Sequence, residues 1–116
     1  MTVGVTSYKA AMRGVPVVLL SEEQDDETTS DTLGIPDSFA RHKLSVTGQD
    51  GVASGVVTIE TAPNVAYAGI WNKLTDITVV DVATLEYAFE GIYSAIRARI
   101  STAIGTGTVT VSYVGS

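Results

Sequence analysis

The stretch Ala103-Ile104-Gly105-Thr106-Gly107-Thr108-Val109-Thr110-Val111-Ser112-Tyr113 decides how the rest of the chain is read. Two spaced glycines ahead of an apolar run suit either a loop that cradles phosphate or the turn into a β-strand. A phosphate loop of the G-x-x-x-x-G-K-[ST] type needs a lysine and a following helix, so that amides and an ammonium converge on the ligand. Here no lysine, third glycine or helix signal follows. Read as a turn, the glycines supply the positive φ that tight turns require. The strand after it, Thr108 to Val114, alternates strictly: Val109, Val111 and Tyr113 inward, Thr108, Thr110 and Ser112 outward. Nucleotide binding is set aside, and the chain opens as a β-protein.

The same period of two recurs upstream. From Ser38, the residues Phe39, Arg41 and Lys43 alternate with Ala40, His42, Leu44 and Val46, up to a turn at Gly48-Gln49-Asp50-Gly51. Gly55 to Thr61 reads as a second strand, stopped at Ala62-Pro63-Asn64 because proline lacks the ladder's donor. Ala68 to Leu74, carrying Trp71, Ile77 to Val82 and Leu85 to Phe89 read as three more, the last with Leu85, Tyr87 and Phe89 on one face. In Ile92 to Ile100, the residues Ile92, Ile96, Ala98 and Ile100 are expected inward, and Tyr93, Arg97 and Arg99 outward. Spacings of i, i+4 leave a helix as the competing reading, but the flanks are β-like and capping signals weak, so a strand is expected. About seven or eight short strands between Gly, Pro and Asn turns predict an all-β fold, an antiparallel β-sandwich that is jelly-roll-like.

Ahead of that body, residues 21–37 hold seven of the thirteen acidic residues, with no periodicity. Mutual repulsion among Glu22, Glu23, Asp25, Asp26 and Glu27 predicts a flexible linker. The expected division is therefore an extended N-terminal arm, 1–20, an acidic linker or loop, 21–37, and a sandwich body, 38–116. In the arm, Val15, Pro16, Val17, Val18, Leu19 and Leu20 form a short extended segment. Two readings of it stand side by side: a partner-binding strand added to a neighbouring subunit's sheet edge, or the first strand of its own sandwich.

With 116 residues the chain is read as one domain, and its 17% charged residues are few for a solitary soluble subunit, which points to a surface meant for a partner. A net charge of −6, with seven scattered basic residues, excludes an electrostatic grip on nucleic acid. Cysteine is absent and histidine single, which removes disulfides and the commonest zinc and iron ligand sets. No signal peptide is read in Lys9 to Leu20, and no stretch approaches the ~18–20 apolar residues of a membrane span.

His42, flanked by Arg41 and Lys43, has no local nucleophile or orienting acid and reads as a half-buried strand histidine. Glu60, Asp76, Asp81, Glu86 and Glu90 could supply a carboxylate pair, but read better as solvated faces. The acidic run 22–27 lacks the frame of a calcium loop. Tyr67, Trp71 and Tyr93 are candidates for a sugar-binding platform, since aromatic faces suit sugar rings; core packing is the plainer role for the tryptophan. No catalytic constellation emerges, so a non-enzyme without catalytic residues, metal or cofactor is expected.

The segments "RGVPVVLLSEEQ" (13–24), "GVVTIETAPN" (55–64) followed by Trp71, "GIYSAIRARIS" (91–101) and "GTGTVTVSYVG" (105–115) resemble small β-sandwich virion proteins of tailed bacteriophages. The resemblance covers about half of the chain and carries no catalytic motif. It implies a structural protein of the capsid surface, a decoration or cement protein assembled in the host bacterial cytoplasm. The partners it implies are further copies of itself, as a homotrimer, and the major capsid protein, with no nucleic acid and no membrane. The alternatives are a carbohydrate- or receptor-binding module of a fibre or tail, resting on the aromatic trio, or a neck or tail connector.

Overall fold

The computed structural model of the chain describes residues 8–25, 28–51, 54–80 and 82–116. Nine strands are found among them: β1 (Tyr8–Ala10), β2 (Val17–Glu23), β3 (Thr32–Gly34), β4 (Arg41–Gln49), β5 (Gly55–Ala62), β6 (Asn72–Val79), β7 (Thr84–Glu90), β8 (Ala95–Thr102) and β9 (Thr108–Gly115). They form two sheets, one ordered β1-β3-β8-β5-β6 and the other β2-β9-β4-β7. All pairings are antiparallel except that of β1 with β3, which is parallel. The protein is thus all-β, with two sheets of mixed and antiparallel strands.

Alternation explains the central strands. In β9, Val109, Val111 and Tyr113 are buried while Thr108, Thr110 and Ser112 are half-buried on the other side. In β8, Ile96, Ala98 and Ile100 are fully buried and Arg97 and Arg99 point the other way, which settles the segment as strand. Leu44, Val46 and Val111 of one sheet belong to the same buried cluster as Val57, Ile59 and Ile100 of the other. Full burial of such a side chain contributes ~1.5–3 kcal/mol, so this shared core is what joins the two sheets. The expected turn is present as well, with Gly107 at φ 72° leading into β9.

The path is a nested one. β2 pairs with β9, β3 with β8, β4 with β7 and β5 with β6, so the chain runs out through its first long strands and returns along them in reverse order. Each sheet therefore mixes outgoing and returning strands, and no sheet can form from one continuous piece of sequence.

Four expectations are corrected. Of the two readings of Val15 to Leu20, the strand of its own chain holds and the free arm is corrected: Val17–Glu23 is β2, paired with β9 of its own chain, and Leu19 and Leu20 are buried. A register shift between Val18 and Leu20 lets two successive leucines face inward, which breaks the alternation along this strand. The linker 21–37 likewise contains β3, whose Leu33 is fully buried, as is Ile35 nearly so beyond it. Ahead of β3, Ser30 donates its amide to the Ala98 carbonyl, and the Ala98 amide donates to Ser30 Oγ at 2.9 Å. Burial of these apolar groups and pairing with β8 outweigh the repulsion of the acidic residues; Asp26 and Glu27 lie outside the described residues. The strands expected at 68–74 and 77–82 are one, β6, with Trp71 just before it. Ile92, expected inward, is 62% exposed, because β8 begins only at Ala95.

Candidate functional site

His42 sits on β4 with both ring nitrogens engaged. Its Nε2 lies 2.8 Å from the Gly91 carbonyl and its Nδ1 2.7 Å from the Tyr113 hydroxyl. A carbonyl can only accept, so in the neutral ring Nε2 carries the hydrogen and Nδ1 receives the tyrosine's. Phe89 stacks on the imidazole at 4.8 Å between centroids, and Tyr93 meets its edge at 5.5 Å. The ring is buried, and neither nitrogen is left to take a proton from a substrate. An open depression of about 250 Å³ lies over Arg41, His42 and Lys43, and no Asp or Glu lines it. Burial pushes the Tyr113 hydroxyl up to about 12, which keeps it protonated and donating.

A second polar cluster crosses the outer face of the five-stranded sheet. Register places Asp76, Thr58 and Arg99 in one row across β6, β5 and β8, and Lys73, Glu60 and Arg97 in the next. Glu60 Oε1 accepts from Arg97 Nε at 2.7 Å, and Oε2 lies 3.4 Å from Arg99. The Glu60 side chain is only 10% exposed, so the two guanidinium groups replace the water it loses. Thr58 Oγ1 donates to Asp76 Oδ1 at 2.6 Å, and Lys73 Nζ lies 3.0 Å from Oδ2. The Thr58 hydroxyl, then Lys73, hold the Asp76 carboxyl below its usual value. Glu86 faces Lys43 at 3.4 Å on the other sheet. Asp81 lies outside the described residues. Among the described residues, no group of three or more His, Asp or Glu could hold a metal ion.

Of the aromatic trio, the structure brings two together. Tyr67 and Trp71 meet edge to face at 6.4 Å between centroids, in the connection from β5 to β6. The Arg97 guanidinium lies 4.3 Å over the Trp71 ring, so that face of the indole is taken by a cation rather than open to a sugar. Tyr93 belongs instead to the cluster around His42 and Phe89.

One surface open to a partner is the flank formed by β7. Register sets Leu85, Tyr87 and Phe89 against Val46, Leu44 and His42 of β4, on the core side of the sheet. Yet Val46 and Leu44 are fully buried while Leu85 keeps 39% of its surface, because β7 ends the sheet and overhangs the core. Just before β7, Val80 and Val82 are exposed, and just after it so is Ile92. The alternation places Leu85, Tyr87 and Phe89 on one face; that Leu85 is exposed while Tyr87 and Phe89 are only partly buried depends on β7 being a terminal strand, which no local pattern states.

Comparison of the chain with family models, with curated proteins and with solved structures finds no match. The bacteriophage, virion and capsid identity, and the trimeric capsid decoration role drawn from it, is therefore corrected: the stretches that suggested it have no matching relative behind them.

Proposed function

We propose that this protein is a non-catalytic structural subunit with a jelly-roll β-sandwich, which works by associating with copies of itself. The observation that carries the reading is the row Leu85, Tyr87 and Phe89 at the end of the sheet, with Leu85 exposed and Tyr87 and Phe89 partly buried against the core, continuous along the chain with exposed Val80, Val82 and Ile92. An apolar row at a sheet edge is costly to leave in water and marks a surface built to be covered.

The nested order of β2 to β9 supports the jelly-roll reading. Two sheets reading first-last-third-sixth and second-seventh-fourth-fifth are what a folded double Greek key produces. The non-catalytic reading rests on what the reactive groups are doing: His42 spends both nitrogens within the fold, and Glu60 is neutralised by two arginines.

Sedimentation velocity of the purified protein over a wide concentration range tests the reading. The expected result is a mass that rises above that of one chain as concentration increases. A single species of one-chain mass throughout sinks it.

A further inference from the structure

Each sheet has two ends, and the four terminal strands differ in how they are defended against pairing with another chain. β1 is three residues long among the described residues. β2 follows Pro16, is broken by two register shifts, carries Glu22 at φ 52° and ends in acidic residues. β6 has a register shift against β5 and places Lys73 on the edge. Short length, bulges, proline and lysine are the devices that keep sheet edges from pairing. β7 has neither short length, bulge, proline nor lysine: its register with β4 is unbroken over all seven residues, its core-side residues are all apolar or aromatic, and its only charges are Glu86 and Glu90.

We infer that β7 pairs antiparallel with β7 of a second copy, about a two-fold axis that passes through Tyr87. This inference rests on the self-association proposed above and names the edge and the register through which it occurs.

Backbone direction comes first. The Gly48 amide donates to the Ala83 carbonyl, and the Gly91 amide to the Ala40 carbonyl. Because strand residues alternate, Leu85, Tyr87 and Phe89 also bond toward β4, and Thr84, Glu86, Ala88 and Glu90 turn their N–H and C=O groups away from it. Among the described residues, no strand lies on that outer side.

Charge then selects the register. Centring the axis on Glu86 sets that carboxylate against its own copy, and centring it on Ala88 sets Glu86 against Glu90 of the other chain. Centring it on Tyr87 sets Glu86 against Ala88, Thr84 against Glu90 and Leu85 against Phe89, so no carboxylate opposes another. This is also the register that pairs the whole strand and uses every outward-facing backbone group. Glu86 keeps Lys43 as its own neighbour at 3.4 Å, which screens it from the other chain's acids. On the core side, Leu85, Tyr87 and Phe89 of both copies form one continuous apolar row, and the two four-stranded sheets become one.

Two variants test the edge and the register. The Ala88 N–H faces outward, so Ala88→Pro removes a donor that no strand of the same chain uses, and an edge proline of this kind is tolerated in a folded sheet. Ala88→Pro is expected to keep its circular dichroism and a cooperative unfolding transition, with a midpoint that no longer rises with concentration, and to sediment as one chain at concentrations where the unaltered protein is a dimer. The chain has no cysteine, so single-cysteine variants report geometry directly. Tyr87 of each copy would form a non-hydrogen-bonded pair, with Cα atoms about 4.5 Å apart, within reach of a disulfide. Tyr87→Cys should therefore give a covalent dimer on mild oxidation, and Leu85→Cys alone should not. A dimer that persists in Ala88→Pro, or a cross-link at Leu85→Cys without one at Tyr87→Cys, overturns the inference and leaves self-association standing. An unaltered protein that is monomeric at every concentration overturns both.

Discussion

Gly115 lies directly opposite His42 in the pairing of β9 with β4, and its missing side chain is what lets Tyr113 reach the imidazole. A Cβ built on Gly115 would collide with the Tyr113 hydroxyl and come within 3.0 Å of Phe39 Cδ2. Glycine here serves close approach rather than an unusual backbone angle. The aromatic cluster of His42, Phe89, Tyr93 and Tyr113 is thus built around a gap in β9.

Gly115→Ala should destabilise the fold by about 1–3 kcal/mol, the usual cost of over-packing a core, because the hydroxyl and the Phe39 ring must both move. Urea denaturation of the variant against the parent measures it. An unchanged midpoint would show that the cluster can shift freely.

Tyr113→Phe removes the donor to His42 Nδ1 and leaves a buried acceptor unpaired, at a cost of about 1–3 kcal/mol near neutral pH. The same residue sets an alkaline limit. The Tyr113 hydroxyl is held at about 12 in the fold, against 10.0 when free. Between these values the unfolded chain releases the proton and the folded chain does not, so the stability is present in full below the lower value and falls as pH rises through the window. Unfolding midpoints followed to alkaline pH should drop less steeply in Tyr113→Phe than in the parent.

Glu60→Gln should leave Arg97 and Arg99 facing each other without a carboxylate between them. Breaking a fully buried pair costs about 3–5 kcal/mol. Both arginines keep about a quarter of their side chains in water, so the expected loss is smaller, about 2 kcal/mol. Trp71 is the only tryptophan, and Arg97 lies over its ring, so its fluorescence reports the same disturbance directly. Unaltered emission and stability in the variant would show that the arginines find other partners.

Thr58→Val removes the hydroxyl that does most to lower the Asp76 carboxyl, so its titration should move up toward the ordinary value of 3.8. In the parent, the stability tied to this carboxylate is present above that value and lost as pH falls through the lowered one. Carboxyl chemical shifts followed through an acid titration measure the shift. No movement in Thr58→Val would assign the lowering to Lys73 instead.

The sequence by itself determined the strands that alternate cleanly. Val109, Val111 and Tyr113 against Thr108, Thr110 and Ser112, or Ile96, Ala98 and Ile100 against Arg97 and Arg99, state their own two faces, because side-chain direction in a strand is a local property. Glycine and proline marked the turns between them for the same reason. Only the tertiary structure decided what each face meets. That β2 is extended could be read from its β-branched run, but that it pairs with β9 of its own chain, with a bulge turning Leu19 and Leu20 inward together, could not, and β3 was hidden by its brevity within an acidic segment. Glu60 meets Arg97 and Arg99, and His42 meets Tyr113, through registers between strands far apart in the chain. Whether the row Leu85, Tyr87 and Phe89 is covered or left at a flank depends on which strand ends the sheet, and pairing between distant segments sets that.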